Sequence, residues 1–75
     1  MSELTVSFGA LVRKHRKLKN ISQEKLALLC NIDRSYMGRI ERGEVNLTLE
    51  KIYELARALG VSVIELLPMD LQQID

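Results

Sequence analysis

Only one proline, Pro68, interrupts the chain, and before it apolar residues recur at intervals of three and four rather than two. That period belongs to helices with one buried face, so the sequence reads as five helical segments and no strand. The first runs from about Ser7 to Lys19, with Phe8, Leu11, Val12, His15 and Leu18 as its inner stripe. The second starts at Ser22, a favoured N-cap, and reaches Cys30, with Leu26, Ala27 and Cys30 inward. The third has Asp33 as N-cap and Gly43 just past its end, with Met37 and Ile40 inward. A fourth starts at Thr48 and ends before Gly60, burying Leu49, Ile52, Leu55, Ala56 and Leu59. A fifth, Ser62 to Leu67, stops at Pro68. The expected organisation is one domain over residues 1–75, with a core at 7–67 and a C-terminal tail at 68–75.

A chain of 75 residues makes one small domain, which buries only roughly 60% of the surface its unfolded form exposes. Domains this small often need a staple or a partner subunit. One cysteine, Cys30, excludes an internal disulfide, and one histidine, His15, excludes a Cys/His zinc cluster. Helix packing and self-association remain. The first residues, MSELTVSFGALV, lack the basic start of a secretory signal, and no apolar run has the ~20 residues of a membrane span, so a cytoplasmic protein without membrane association is expected. No nucleophile–base set, phosphate-cradling glycine loop or metal cluster is apparent in the sequence. The expectation is a non-enzyme with no cofactor, no metal and no small-molecule ligand.

The net charge of +1 hides a split. Residues 1–45 carry nine Lys and Arg against five Asp and Glu, a balance of +4, and residues 46–75 carry two against five, a balance of −3. A basic first part points to an anionic partner on one face. The second and third helices, joined by about four residues, have the spacing of a helix-turn-helix, whose second helix can lie in the DNA major groove. Projected at 100° per residue, the third helix sets Met37 and Ile40 on one side. Ser35, Gly38, Arg39 and Arg42 fall opposite, and Arg34 projects from the first turn. An interior glycine weakens a helix by about 1 kcal/mol relative to alanine. On this projection Gly38 lies on the outer face, where its missing side chain would let the helix approach DNA closely.

SQEKLALLCNIDRSYMGRIERG resembles the helix-turn-helix core of the Xre/Cro superfamily, the phage-repressor-like DNA-binding domains, through Gln23, Leu26, Ala27, Ile32, Met37, Ile40, Glu41 and Gly43. The later LARALGVSVIELL is similar to the same family, and the likeness spans about Phe8 to Leu67. DRSYMGRIERGEVNLTLEKI resembles the controller proteins of restriction–modification systems. The resemblance implies an all-α, five-helix, lambda-repressor-like domain. It also implies a sequence-specific transcriptional regulator that binds double-stranded DNA as a homodimer on a pseudo-palindromic operator. A stand-alone repressor is the nearest alternative. An antitoxin-like protein-interaction module is the alternative from another class.

The resemblance also assigns roles. Arg34, Ser35 and Arg39 match base-reading positions, and Arg39 stands where many controllers have a small residue, so readout is expected to differ there. Gln23 matches a phosphate-contacting position at the start of the second helix. Tyr36, Arg42, Asn46 and Thr48 are expected on the DNA backbone, with core packing as the alternative for Tyr36 and a plain N-cap as the alternative for Thr48. Arg16 and Glu41 match a pair that bridges the first and third helices and orients the latter. Ile64 stands where relatives usually carry a polar residue. With Met69, Leu71 and Ile74 it is the expected dimer surface, because a domain this small cannot bury all four alone.

Overall fold

The computed structural model describes residues 2–68 of the chain. Four α-helices, α1 (Glu3–Leu18), α2 (Gln23–Leu29), α3 (Arg34–Glu41) and α4 (Leu49–Leu59), are followed by a single 3₁₀ turn, Val63–Leu66. No strand occurs among the described residues. The fifth helix expected from the sequence is therefore only a turn. Its bonds run from Glu65 N–H to Ser62 O (3.0 Å) and from Leu67 N–H to Ile64 O (3.2 Å). Four residues are too few to close an α-helical ladder, and Pro68 supplies no further N–H.

Helix starts follow side-chain caps. The Ser22 and Thr48 hydroxyls accept from the N–H groups of Lys25 (2.9 Å) and Lys51 (3.1 Å). α1 begins at Glu3, four residues before the expected start. Ser2 caps it by accepting from Thr5 N–H at 3.1 Å, and Thr5 Oγ1 accepts in return from Ser2 N–H at 3.1 Å. That signal lay upstream of the apolar stripe. Asp33 occupies the N-cap position of α3 with an extended backbone but makes no side-chain capping bond.

All four helices end alike. A residue in the left-handed region follows each one: Asn20 (φ 60°), Asn31 (φ 56°), Gly43 (φ 77°) and Gly60 (φ 70°). At each end two backbone N–H groups reach back into the last turn. In α2 these run from Asn31 to Leu28 O (3.1 Å) and from Ile32 to Ala27 O (3.0 Å). Asparagine tolerates this conformation better than most residues, so the two asparagines stop helices as the two glycines do.

Val12, Leu26, Met37, Ile40, Leu55, Leu59 and Leu66 are fully buried and form one core with Phe8, Ala27, Cys30 and Ala56. α3 packs against both α1 and α2, and the 3₁₀ turn closes the core against α1 and α4. Two expected core residues lie outside. Leu18 is 70% exposed and Leu49 74%. Each sits in a terminal turn at the edge of its stripe, where no neighbouring element covers it.

Gly9 sets the distance between α1 and α3. A Cβ there would stand 2.6 Å from the Glu41 carbonyl oxygen and collide with that of Ile40. The N-terminal turn of α1 is tied to the end of α3, where Thr5 Oγ1 donates to Gly43 O at 2.9 Å.

Candidate nucleic-acid interface

α3 is held in place by a buried polar cluster. Arg16 reaches from α1 and grips Glu41 with two parallel bonds, Nε to Oε2 (2.7 Å) and Nη2 to Oε1 (3.1 Å). Its third donor, Nη1, caps the Ile21 carbonyl at 3.0 Å. Gln23, the first residue of α2, donates from Nε2 to Glu41 Oε1 at 3.1 Å. The side chains of Arg16 and Glu41 are only 11% and 3% exposed. A fork-to-carboxylate pair of this kind fixes orientation as well as separation. Every buried side-chain N or O among the described residues has a hydrogen-bond partner, so the cluster carries no orphaned group.

With Met37 and Ile40 turned inward, α3 presents Arg34, Ser35 and Arg39 to solvent, and Arg42 follows at its C-cap. Tyr36 is half-buried and packs its ring against the core. Asn46 and Thr48 are exposed in the segment leading to α4, where the Thr48 hydroxyl is engaged as N-cap. Gln23 from α2 and Arg42 from the end of α3 come together over Gly38.

Gly38 lies on the side of α3 that carries Arg42, as the helical projection has it, but it is not open to solvent. It is buried, and a Cβ there would meet Arg42 Nη1 at 3.1 Å and the Gln23 amide at 3.6 and 3.8 Å. The projection treated α3 alone, whereas Gln23 from α2 and the Arg42 side chain fold across this point of the helix. The close approach at Gly38 is made by the protein's own side chains.

Glu44 was not singled out in the sequence, although it stands two residues from Arg42 and five from Arg39. Arg42 donates from Nε to Glu44 Oε2 at 2.8 Å and from Nη2 to Oε1 at 3.4 Å. Arg39 Nε lies 3.8 Å from the same carboxylate. The hydrogen bond from Arg42, aided by the charges of Arg42 and Arg39, holds the Glu44 carboxyl below its usual range, and the same bond raises the Arg42 guanidinium.

Of the expected dimer surface, Ile64 is 62% exposed on the 3₁₀ turn. It borders a shallow depression with Ser7, Ala10, Leu11 and Leu67. Met69, Leu71 and Ile74 lie outside the described residues. Among the described residues no group of His, Cys, Asp and Glu is placed to hold a metal ion, and no helix is long and apolar enough to cross a membrane.

The chain matches the helix-turn-helix family over residues 12–66. It is 43% identical over 67 residues to the control protein C.BamHI of Bacillus amyloliquefaciens, covering 88% of this chain and 83% of that protein. It is 46% identical over 56 residues to the control protein C.SmaI of Serratia marcescens, covering 75% of this chain and 67% of that protein. Its fold is similar to the crystal structure of the restriction–modification controller protein C.AhdI from Aeromonas hydrophila, with a TM-score of 0.79 and 47% identity over 83% of this chain and 94% of that one. Fold, family match and these likenesses agree: the chain belongs to the helix-turn-helix family, among the restriction–modification control proteins.

Proposed function

We propose that this chain regulates transcription by laying α3 in the major groove of double-stranded DNA, as a control protein of a restriction–modification system. The observation that carries the reading is the buried Arg16–Glu41–Gln23 cluster. It locks α3 with Arg34, Ser35 and Arg39 facing outward, as a base-reading helix requires. Arg34, in the first turn, offers a planar fork that can bond a guanine edge twice. Ser35 and Arg39 read neighbouring bases. Gln23, Arg42, Asn46 and Thr48 meet the phosphates, which position the domain without reading sequence. The Tyr36 ring is committed to the core, which leaves its hydroxyl for the backbone. Two copies joined around Ile64 would set their α3 helices about 34 Å apart, one DNA turn, on a pseudo-palindrome. The protein acts in the cytoplasm, without a cofactor and without catalysis.

Base reading and backbone positioning separate under mutation. Arg34→Ala is expected to cost ~1–3 kcal/mol per half-site on the operator and much less on unrelated duplex. Gln23→Ala should weaken all sequences about equally. A genomic footprint upstream of the chain's own gene supplies the operator, and titrations of both variants on operator and scrambled duplex make the measurement. If Arg34→Ala weakens both duplexes by the same factor, Arg34 is a phosphate contact and base reading rests elsewhere on α3.

A further inference from the structure

A DNA-facing arginine gains most when nothing else on the protein competes for it. Here Arg42 is already engaged. Its guanidinium lies back across α3 in the space left by the absent Gly38 side chain, with Nη1 3.1 Å from where a Cβ would stand. There it makes two bonds to Glu44, at 2.8 and 3.4 Å. The same carboxylate is 3.8 Å from Arg39 Nε. All three side chains are open to solvent, Arg42 at 60%, Arg39 at 52% and Glu44 at 36%. Two carboxylate oxygens facing a guanidinium fork reproduce what a phosphate offers, in charge and in bidentate geometry.

Building on the DNA-binding reading above, we propose that Glu44 is an intramolecular stand-in for DNA phosphate: it holds Arg42, reaches Arg39, and must be displaced before these arginines engage the duplex. The contact is autoinhibitory, and through Arg42, which meets the backbone, it acts on any duplex whatever its sequence. Gly38 leaves room for this placement, since a Cβ there would stand 3.1 Å from the guanidinium and press on it. A glutamate carboxyl is ionised at neutral pH, and the bond from Arg42 lowers it further, so the charge that faces the arginines is present in the free protein. Its strength is that of an exposed ion pair and is weakened by salt. It therefore lowers affinity by a small factor and flattens the salt dependence. With Arg42 and Arg39 engaged at home, fewer cations of the free protein are available to displace the counterions of DNA.

The test uses the full chain and a mixed-sequence duplex, so no operator is required. Fluorescence anisotropy across a range of salt concentrations compares wild type, Glu44→Gln, Arg42→Ala and the double variant, with thermal melts confirming that all four are folded. Glu44→Gln is expected to tighten binding roughly two- to fivefold at low salt. The log–log salt slope should steepen by about one per protomer. In the Arg42→Ala background most of that gain should vanish. If Glu44→Gln binds as wild type does, there is no clamp. If its gain persists in full without Arg42, Glu44 merely repels phosphate and does not hold the arginine. A wild type that binds no duplex at any salt concentration overturns the DNA reading and the clamp together. Binding by wild type with an unchanged Glu44→Gln overturns the clamp alone.

Discussion

Gly9 and Gly38 look alike in the sequence, each a single glycine inside a helix. Their surroundings make them opposites. At Gly9 a new Cβ would meet the backbone carbonyl oxygens of Ile40 and Glu41, the second at 2.6 Å. Backbone in the last turn of a packed helix cannot step aside, so α1 must move away from α3. At Gly38 the tightest neighbour is the tip of the Arg42 side chain at 3.1 Å, which can swing away. Gly38→Ala should therefore recover helix propensity and gain up to about 1 kcal/mol. Gly9→Ala should lose roughly 1–3 kcal/mol despite the same propensity gain. Urea unfolding of both variants beside wild type checks the pair. Should Gly38→Ala lose as much as Gly9→Ala, the Arg42 tip is not free to yield and Gly38 is required by packing.

Helix α3 has only eight residues, too few to be stable alone in water. Its N-cap makes no side-chain bond, and its interior contains a glycine. What holds it is Met37 and Ile40 in the core and Glu41 in the grip of Arg16 and Gln23. Removing the carboxylate leaves a guanidinium only 11% exposed without its anion. Breaking a buried pair from one side costs roughly 3–5 kcal/mol. Glu41→Ala is expected to lose stability on that scale by chemical denaturation, a large share of what a small domain possesses. A loss well under 1 kcal/mol would mean that water replaces the carboxylate and that the cluster does not hold α3.

At the scale of the molecule, the proposed dimer would set the geometry of recognition. Leu66 is fully buried, whereas Ile64 in the same turn is 62% exposed, so the two can be mutated to different ends. Ile64→Asp should leave the core intact, keep the helical spectrum and sediment as a monomer. Its operator affinity should fall steeply, because two half-sites bound by one dimer gain from effective concentration and a monomer does not. The wild type should melt at a temperature that rises with protein concentration. A wild type that sediments as a monomer at micromolar concentration, or an Ile64→Asp variant that remains dimeric, would move the interface away from the 3₁₀ turn.

What was legible in the sequence was governed by short-range physics. The spacing of apolar residues, the caps at Ser22 and Thr48 and the stops at Gly43 and Gly60 act within one helical turn, so α2, α3 and α4 stand close to where their residues place them. The resemblance supplied Arg16 and Glu41, which spacing alone could not pair across 25 residues. Tertiary structure decided the rest, because it depends on which distant segment covers a given side chain. Leu18 and Leu49 carry the right period but meet no partner at their terminal turns. Gly38 falls on the outer side of an isolated helix and is buried once Gln23 and Arg42 lie over it. Gly9 gives no local sign of its role, since the carbonyls it accommodates lie more than 30 residues away in sequence. Glu44 is an ordinary surface carboxylate until the end of α3 folds it back against Arg39 and Arg42.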